Sequence, residues 1–193
     1  MNHLAHLYLS GSSEKIMVGN FIADGVKGKK YSNYEPEIVK GILMHRAIDT
    51  FTDSHEIVRH SKGFFREKYG LYSGVLIDLF YDHYLAKNWT SYSTTPLADF
   101  AANAYRIFSE YLSIMPGEYQ HMFPYMQKEN WLLNYAKIEG IRRSLLGMSH
   151  RIMNNPGIEF SYRELEENDE AIESDFRKFF PALRKEISSH FTV

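Results

Sequence analysis

The chain has 193 residues, with 22 Lys plus Arg against 24 Asp plus Glu and no cysteine. Zero cysteines exclude disulfide frameworks, zinc ribbons, iron–sulfur ligation and thiol catalysis, and a net charge of −2 excludes a histone-like polyanion binder. With 44% hydrophobic and 24% charged residues the chain reads as globular, long enough for one domain over 1–193 that folds without a metal or disulfide staple.

The opening MNHLAHLYLSGSSEK lacks a basic n-region and a long apolar h-region, and no apolar run approaches the ~18 residues of a membrane span, so a cytoplasmic protein is expected. Leu4–Gly11 is apolar with polar interruptions and reads as helix or strand. Gly19–Val26 is a short apolar run broken by Gly25, and Lys27-Gly28-Lys29-Lys30 then forms an exposed basic loop. Pro36 suits a first helical turn, and Ile38, Ile42, Leu43 and Ile48 fall near helical spacing, so a helix is placed at Glu35–Phe51. Asp53 or Ser54 can cap the next helix, which carries Ile57, Val58, Phe64 and Phe65 and stops at Gly70. Gly74–Lys87 is the most apolar stretch and reads as a buried helix. Further helices are expected at Pro96–Ile114, Gly117–Glu129, Trp131–Ala136, Ile138–Met153 and Ser161–His190, with Pro181 breaking or kinking the last. No sustained period-two alternation is bounded by hairpin turn signals. The expectation is an all-α, single multi-helix domain.

Six of the nine histidines (His3, His6, His45, His55, His60, His83) lie in the first 83 residues. His45 and Asp49, four apart, share one helical face and can reach one divalent cation; a plain His–Asp pair is the competing reading. Asp78 and Asp82 repeat the spacing within an apolar helix, with His83 adjacent. Burying ionised carboxylates there is expensive unless a metal, or a basic partner such as Arg46, Arg59 or Arg66, compensates. Asp24 sits in an apolar segment with no basic residue before Lys27, and His6 is a better ligand candidate than His3. This oxygen- and nitrogen-rich, sulfur-free set suits manganese, magnesium, iron or zinc. Without a nucleophile elbow, Walker loop or dinucleotide loop, metal-assisted hydrolysis is the chemistry left.

The strings NHLAHLYL, VGNFIADGVKGK, GILMHRAIDTFTDSH, YSGVLIDLFYDHYLAKNW and, more weakly, NWLLNYAKIEGIRRSLLGMSHR resemble the acyl-carrier-protein phosphodiesterase family. The likeness implies hydrolysis of the phosphodiester joining 4′-phosphopantetheine to a serine of holo acyl carrier protein, on an all-helical fold distantly akin to HD-type metal phosphohydrolases, with a divalent ion, manganese foremost. The adjacent pair here reads Asp82-His83 rather than His-Asp. On this resemblance Asp24, His45, Asp82 and His83, with His6, are the metal-ligand candidates. Asp49 and Asp78 become ligands, partners orienting a histidine, or a base, and Arg46 a phosphate-neutralising group. The partner would be a small acidic carrier protein, which a basic rim of Lys27, Lys29, Lys30, Arg59 and Arg66 would meet, with Arg142 and Arg143 as a further cluster. Trp89, Tyr92 or Trp131 would line a groove for the pantetheine arm. An HD-like phosphatase or nucleotidase for small esters, and a non-catalytic helical binding module, are the alternatives. No zinc finger or RNP-like motif points to nucleic acid.

Overall fold

The computed structural model describes residues 1–191 and, among them, is built of helices and connecting turns with no strand. The N-terminal apolar segment is a helix, α1 (His3–Leu9), rather than a strand. Its first amides have no capping side chain nearby in sequence; the cap comes from Asp82, which lies 78 residues from Leu4 along the chain. Ser13 caps α2 (Glu14–Ile22), its hydroxyl accepting from Ile16 N at 3.3 Å, and a 3₁₀ turn at Ala23–Gly25 follows. The run at Gly19–Val26 is thus the end of a helix and a tight turn.

Helix α3 (Pro36–Ser54) begins with proline in its first turn, as expected, and runs three residues beyond Phe51. That extension places Asp53 and Ser54 inside the helix, so neither caps α4 (Glu56–Tyr69). His55 does, its Nδ1 accepting from Ile57 N at 3.3 Å, while Asp53 pairs with Lys62 at 2.8 Å. Gly70 ends α4 with φ +55°.

Helices α2 and α3 cross at a pair of glycines. A Cβ on Gly19 would stand 2.0 Å from Ile38 O, and one on Gly41 2.2 Å from Ile16 O. The backbones therefore approach closer than any side chain allows, and this crossing sets α2 against the first two turns of α3.

Helix α5 (Ser73–Lys87) is the central element, packed by α1, α4, α9 and α11, with Leu76, Ile77, Leu79, Phe80, Tyr81, Asp82 and Tyr84 all at 0% exposure. Around it lie α6 (Leu97–Tyr111), α7 (Gly117–Lys128), the short α8 (Trp131–Asn134), α9 (Ile138–Ser149), α10 (Tyr162–Glu167) and α11 (Asp169–His190). The expected helix at Ser161–His190 is divided at Asn168. Its backbone (φ −115°, ψ 20°) leaves the helical region, and its side-chain amide donates to Glu164 O at 2.8 Å, closing α10. Pro181, in contrast, does not interrupt α11. The flanking Phe176, Phe179, Phe180 and Leu183 are fully buried, and their packing outweighs the one lost backbone hydrogen bond.

Apolar side chains of α1 to α11 form a continuous hydrophobic core. No helix of the described residues is long and apolar enough to cross a membrane.

Candidate metal centre and its surroundings

The glycine crossing of α2 and α3 positions the polar group at the end of α1. Asn20, one residue after Gly19, is fully buried. Its Nδ2 donates to His6 O (2.8 Å) and Ser10 Oγ (3.0 Å), which fixes the amide so that Oδ1 faces His6 Nδ1 at 2.8 Å. The backbone oxygen of the same residue faces His45 Nδ1, also at 2.8 Å. Both contacts are to oxygen acceptors, so both Nδ1 atoms must carry a proton and donate. A single asparagine thereby sets the tautomer and orientation of two histidines, whose rings stack at 3.9 Å between centroids.

The consequence lies on the other edge of each ring. His6 Nε2 faces Asp49 Oδ1 at 3.2 Å and Met1 O at 3.1 Å, while His45 Nε2 faces Asp49 Oδ2 at 3.0 Å and Asp24 Oδ1 at 3.2 Å. With Nδ1 protonated, a neutral imidazole presents a lone pair at Nε2. Lone pairs and carboxylate oxygens thus converge on one point, an arrangement stable only with positive charge between them.

Without a metal that charge is a proton. Burial alone would lower the His45 pKa, but hydrogen bonds with Asp24 and Asp49 outweigh it and raise the group to about 9. Burial and the neighbouring His45 charge lower His6. Asp49, in spite of its burial, is held well below the usual carboxylate range by His45 and His6, and Asp24 is lowered by its hydrogen bond to His45. The ligand atoms of His6, His45 and Asp49 all lie within 4.8 Å of one another. A cation bound at roughly 2.1 Å spreads its ligands about 3–4.3 Å apart, so the set fits one divalent ion, with Asp24 on the exposed side.

The carboxylates of α5 have different occupations. Asp82 accepts from Leu4 N (2.6 Å), Asn2 N (3.3 Å) and Ala5 N (3.3 Å), so its two oxygens cap α1. Asp78 pairs with the Met1 ammonium at 2.9 Å, and that ammonium also stands 3.9 Å from Asp49. His83 turns away, its Nδ1 donating to Tyr135 O at 2.7 Å beside a separate small cleft that Asp169 also lines. Of the expected ligands the fold gathers Asp24, His6 and His45, together with Asp49; Asp82 and His83 point elsewhere.

Arg46 makes no ion pair with Asp49 or Asp78. Its Nη2 donates to Val26 O (2.9 Å) and Gly28 O (3.0 Å), and its guanidinium lies 5.0 Å from the Tyr31 ring centre, so it fastens the basic loop to α3. Lys27 borders a cavity of about 640 Å³ that opens beside Asp24 and His3, its Nζ donating to Asp24 O at 2.7 Å. Lys29 and Lys30 are exposed on the same loop, whereas Arg59 and Arg66 are exposed on α4 and do not border the cavity. Trp131 and Arg143 do border it; Trp89 is buried in the core and Tyr92 packs on Phe176 and Phe180. The residue that sequence reasoning missed is Asn20. Its signal is a lone amide among Met17, Val18, Phe21 and Ile22, where a buried polar group needs a reason.

Comparison with known proteins gives the same placement over almost the whole length. The family model described as acyl carrier protein phosphodiesterase matches residues 1–183. Curated relatives bearing that name include one from Yersinia enterocolitica, 33% identical over 184 residues (95% of each chain), and one from Yersinia pestis, 32% identical over 187 residues (96% of this chain and 97% of that one). A third, from Salmonella dublin, is 33% identical over 184 residues, again 95% of each chain. No solved structure gives a significant match. A match spanning α1 to most of α11, and containing every residue of the His6–Asn20–Asp24–His45–Asp49 cluster, places this chain in the acyl carrier protein phosphodiesterase family.

Proposed function

We propose that this protein hydrolyses the phosphodiester between 4′-phosphopantetheine and a serine of holo acyl carrier protein, releasing apo carrier protein and free 4′-phosphopantetheine, and that it does so with a divalent cation, manganese foremost. The observation that carries the reading is Asn20: by accepting from both Nδ1 atoms it turns two Nε2 atoms toward Asp49, a donor set that needs positive charge and whose spacing suits one divalent ion in place of the proton. Imidazole and carboxylate without sulfur match manganese, magnesium, iron or zinc.

His6, His45 and Asp49 are the residues that would hold the ion. Bound there, it supplies Lewis-acid polarisation of a phosphoryl oxygen and an acidified water nucleophile. The protein's own contribution begins with geometry. Asn20 keeps both rings fixed from behind, so the pocket does not reorganise as charge develops on phosphorus. Asp24, 74% exposed yet hydrogen-bonded to His45, stands where solvent meets the cluster, and its carboxylate takes the proton that the attacking water gives up. Lys27, on the next turn of chain, brings positive charge to the side on which a phosphodiester arrives. The leaving group is a serine of the carrier protein, and the exposed Lys29 and Lys30 meet that acidic partner at the rim.

The test uses metal-stripped protein and holo acyl carrier protein, with and without manganese, followed by intact mass. Loss of the phosphopantetheine mass from the carrier only when manganese is present supports the proposal. An unchanged carrier, accompanied by turnover of free nucleotides, overturns it in favour of a small-ester phosphatase.

A further inference from the structure

Resting on that proposed reaction, a second assignment concerns the cavity beside the cluster. We propose that the cavity between α7, α8 and α9 is the slot for the arm of the prosthetic group: an uncharged, amide-bearing chain attached to a phosphate, lying along α9 with its phosphate at Lys27 and Arg151.

The volume, about 640 Å³, falls in the range of small-molecule sites. The lining includes Asp24, His3 and Lys27, so the cavity meets the proposed reaction centre at Asp24, which hydrogen-bonds His45 at 3.2 Å. Arg151 borders the same cavity; burial chiefly lowers the His3 pKa, and the charges of His6, His45 and, least, Arg151 lower it further. No ion pair engages Lys27, Arg143 or Arg151 among the described residues, whereas Arg142, next along the chain, pairs with Glu139 at 2.8 Å and lies over Tyr162. Adjacent arginines thus divide: one serves the fold, and the other, held by a single hydrogen bond from Nε to Glu139 O at 3.4 Å, borders the cavity without an ion pair.

The α9 wall is built from one helical face. Gly140, Arg143, Ser144, Gly147 and Met148 lie three or four residues apart on α9, with Arg151 in the turn just beyond its end, and the small residues among them keep the floor low. Two glycines there have different reasons. Gly140 is required by packing, since a Cβ would stand 2.0 Å from Asn134 O. At Gly147 a Cβ would meet nothing within 4 Å, as at Gly63 inside α4, but of these two open helical glycines Gly147 is the one that borders the cavity. A glycine inside a helix costs roughly 0.5–1 kcal/mol relative to alanine, and no neighbour in this chain explains it. Room for a ligand does. The opposite wall sets the apolar Met122, Tyr125 and Trp131 among Glu118, His121 and Glu129, which suits an extended chain of methylenes and hydrogen-bonding amides.

The experiment titrates free 4′-phosphopantetheine and dephosphorylated pantetheine into the full chain by calorimetry, for the natural protein, Gly147→Ala, Gly147→Leu and Arg151→Gln. Thermal melts accompany each titration; both glycine variants favour helix, so a folded Gly147→Leu protein is expected. The assignment predicts that Gly147→Leu weakens both ligands at least tenfold, that Gly147→Ala has a smaller effect in the same direction, and that Arg151→Gln weakens the phosphorylated ligand alone. Equal affinity in Gly147→Leu and natural protein overturns it, as does no binding to the natural protein. Hydrolysis of holo acyl carrier protein, measured alongside, separates the two ideas. Undiminished kcat/KM in Gly147→Leu removes the cavity assignment and leaves the reaction. Binding that Gly147→Leu abolishes, in a protein that cleaves no carrier, removes the reaction and leaves the cavity.

Discussion

Helices α3 and α5 carry chargeable groups at the same four-residue spacing and put them to opposite uses. Each places two polar, chargeable groups four residues apart on an otherwise apolar face: His45 and Asp49 in one, Asp78 and Asp82 in the other. In α3 the pair meets His6 and Asp24, and each of these points an electron-rich atom at a shared centre while Asn20 holds both rings from behind. In α5 the corresponding oxygens are occupied by donors, three backbone amides on Asp82 and the Met1 ammonium on Asp78. A buried carboxylate needs compensation in either case; whether it becomes a site or a scaffold depends on whether the compensating donors belong to the chain.

Substitutions should separate the two helices cleanly. The largest effect is expected in α3. His45→Gln removes one imidazole from the set, and carrier-protein hydrolysis in saturating manganese should fall by about 10³-fold or more. Asp82→Asn in α5 should lower activity only as far as it lowers the folded population. Equal losses of kcat/KM in the two folded variants would erase the distinction.

Asn20→Ala comes next. It touches neither the ion nor the substrate, yet it frees His6 to rotate, so manganese affinity is expected to fall about 10–100-fold with a smaller change in kcat at saturating metal. Electron paramagnetic resonance of bound manganese during titration reads this directly. A purely structural asparagine would lower the melting temperature and leave the affinity of the folded protein alone. Asp82→Ala, in turn, leaves three amides at the start of α1 without their acceptor, and unfolding in urea should show a loss of about 2 kcal/mol in metal-free protein.

The comparison also explains which parts of the molecule were legible in the sequence. Helix identity was accessible because 3.6-residue periodicity and Pro36 report local structure. The division at Asn168 was not, since it depends on a side chain closing the preceding helix, and neither was the unbroken helix through Pro181, which depends on buried phenylalanines around it. Within the site, His45 and Asp49 were visible as a pair on one turn. The different fate of Asp82 was invisible: its partners lie 77 to 80 residues away, and backbone amides leave no trace in composition. Asn20 could have been found by asking why an amide interrupts Met17–Ile22, a question that burial answers and spacing does not.

The smallest expected effect is a pH dependence that divides between the same two helices. Burial raises the Asp82 carboxyl from 3.8 to about 7, against the opposing pull of the Met1 ammonium and the α1 amides. A carboxyl raised on folding binds more protons in the native than in the unfolded chain between those two values. Its stabilising contribution is therefore complete below 3.8 and lost as the pH rises through about 7. His45 is likewise raised, from 6.5 to about 9, so its contribution is complete below 6.5 and lost as the pH rises through about 9. Both slopes have the same sign but occupy successive windows. The decline that Asp82 contributes from pH 5 to 7, on the order of 1 kcal/mol, is opposed by His3, His6 and His83, which burial lowers and whose contributions rise over the same range. It is therefore read in metal-free protein as the stability difference between natural protein and Asp82→Asn, which should shrink by that amount from pH 5 to 7. A further decline from pH 7 to 9 should be flattened by His45→Gln, and by manganese in the natural protein, because an ion on His45 Nε2 displaces the proton whose loss drives it. Denaturant melts at two-unit pH intervals resolve the two windows. If manganese were to flatten the lower window and leave the upper one steep, the ion would belong to α5, and the roles assigned to the two helices would be exchanged.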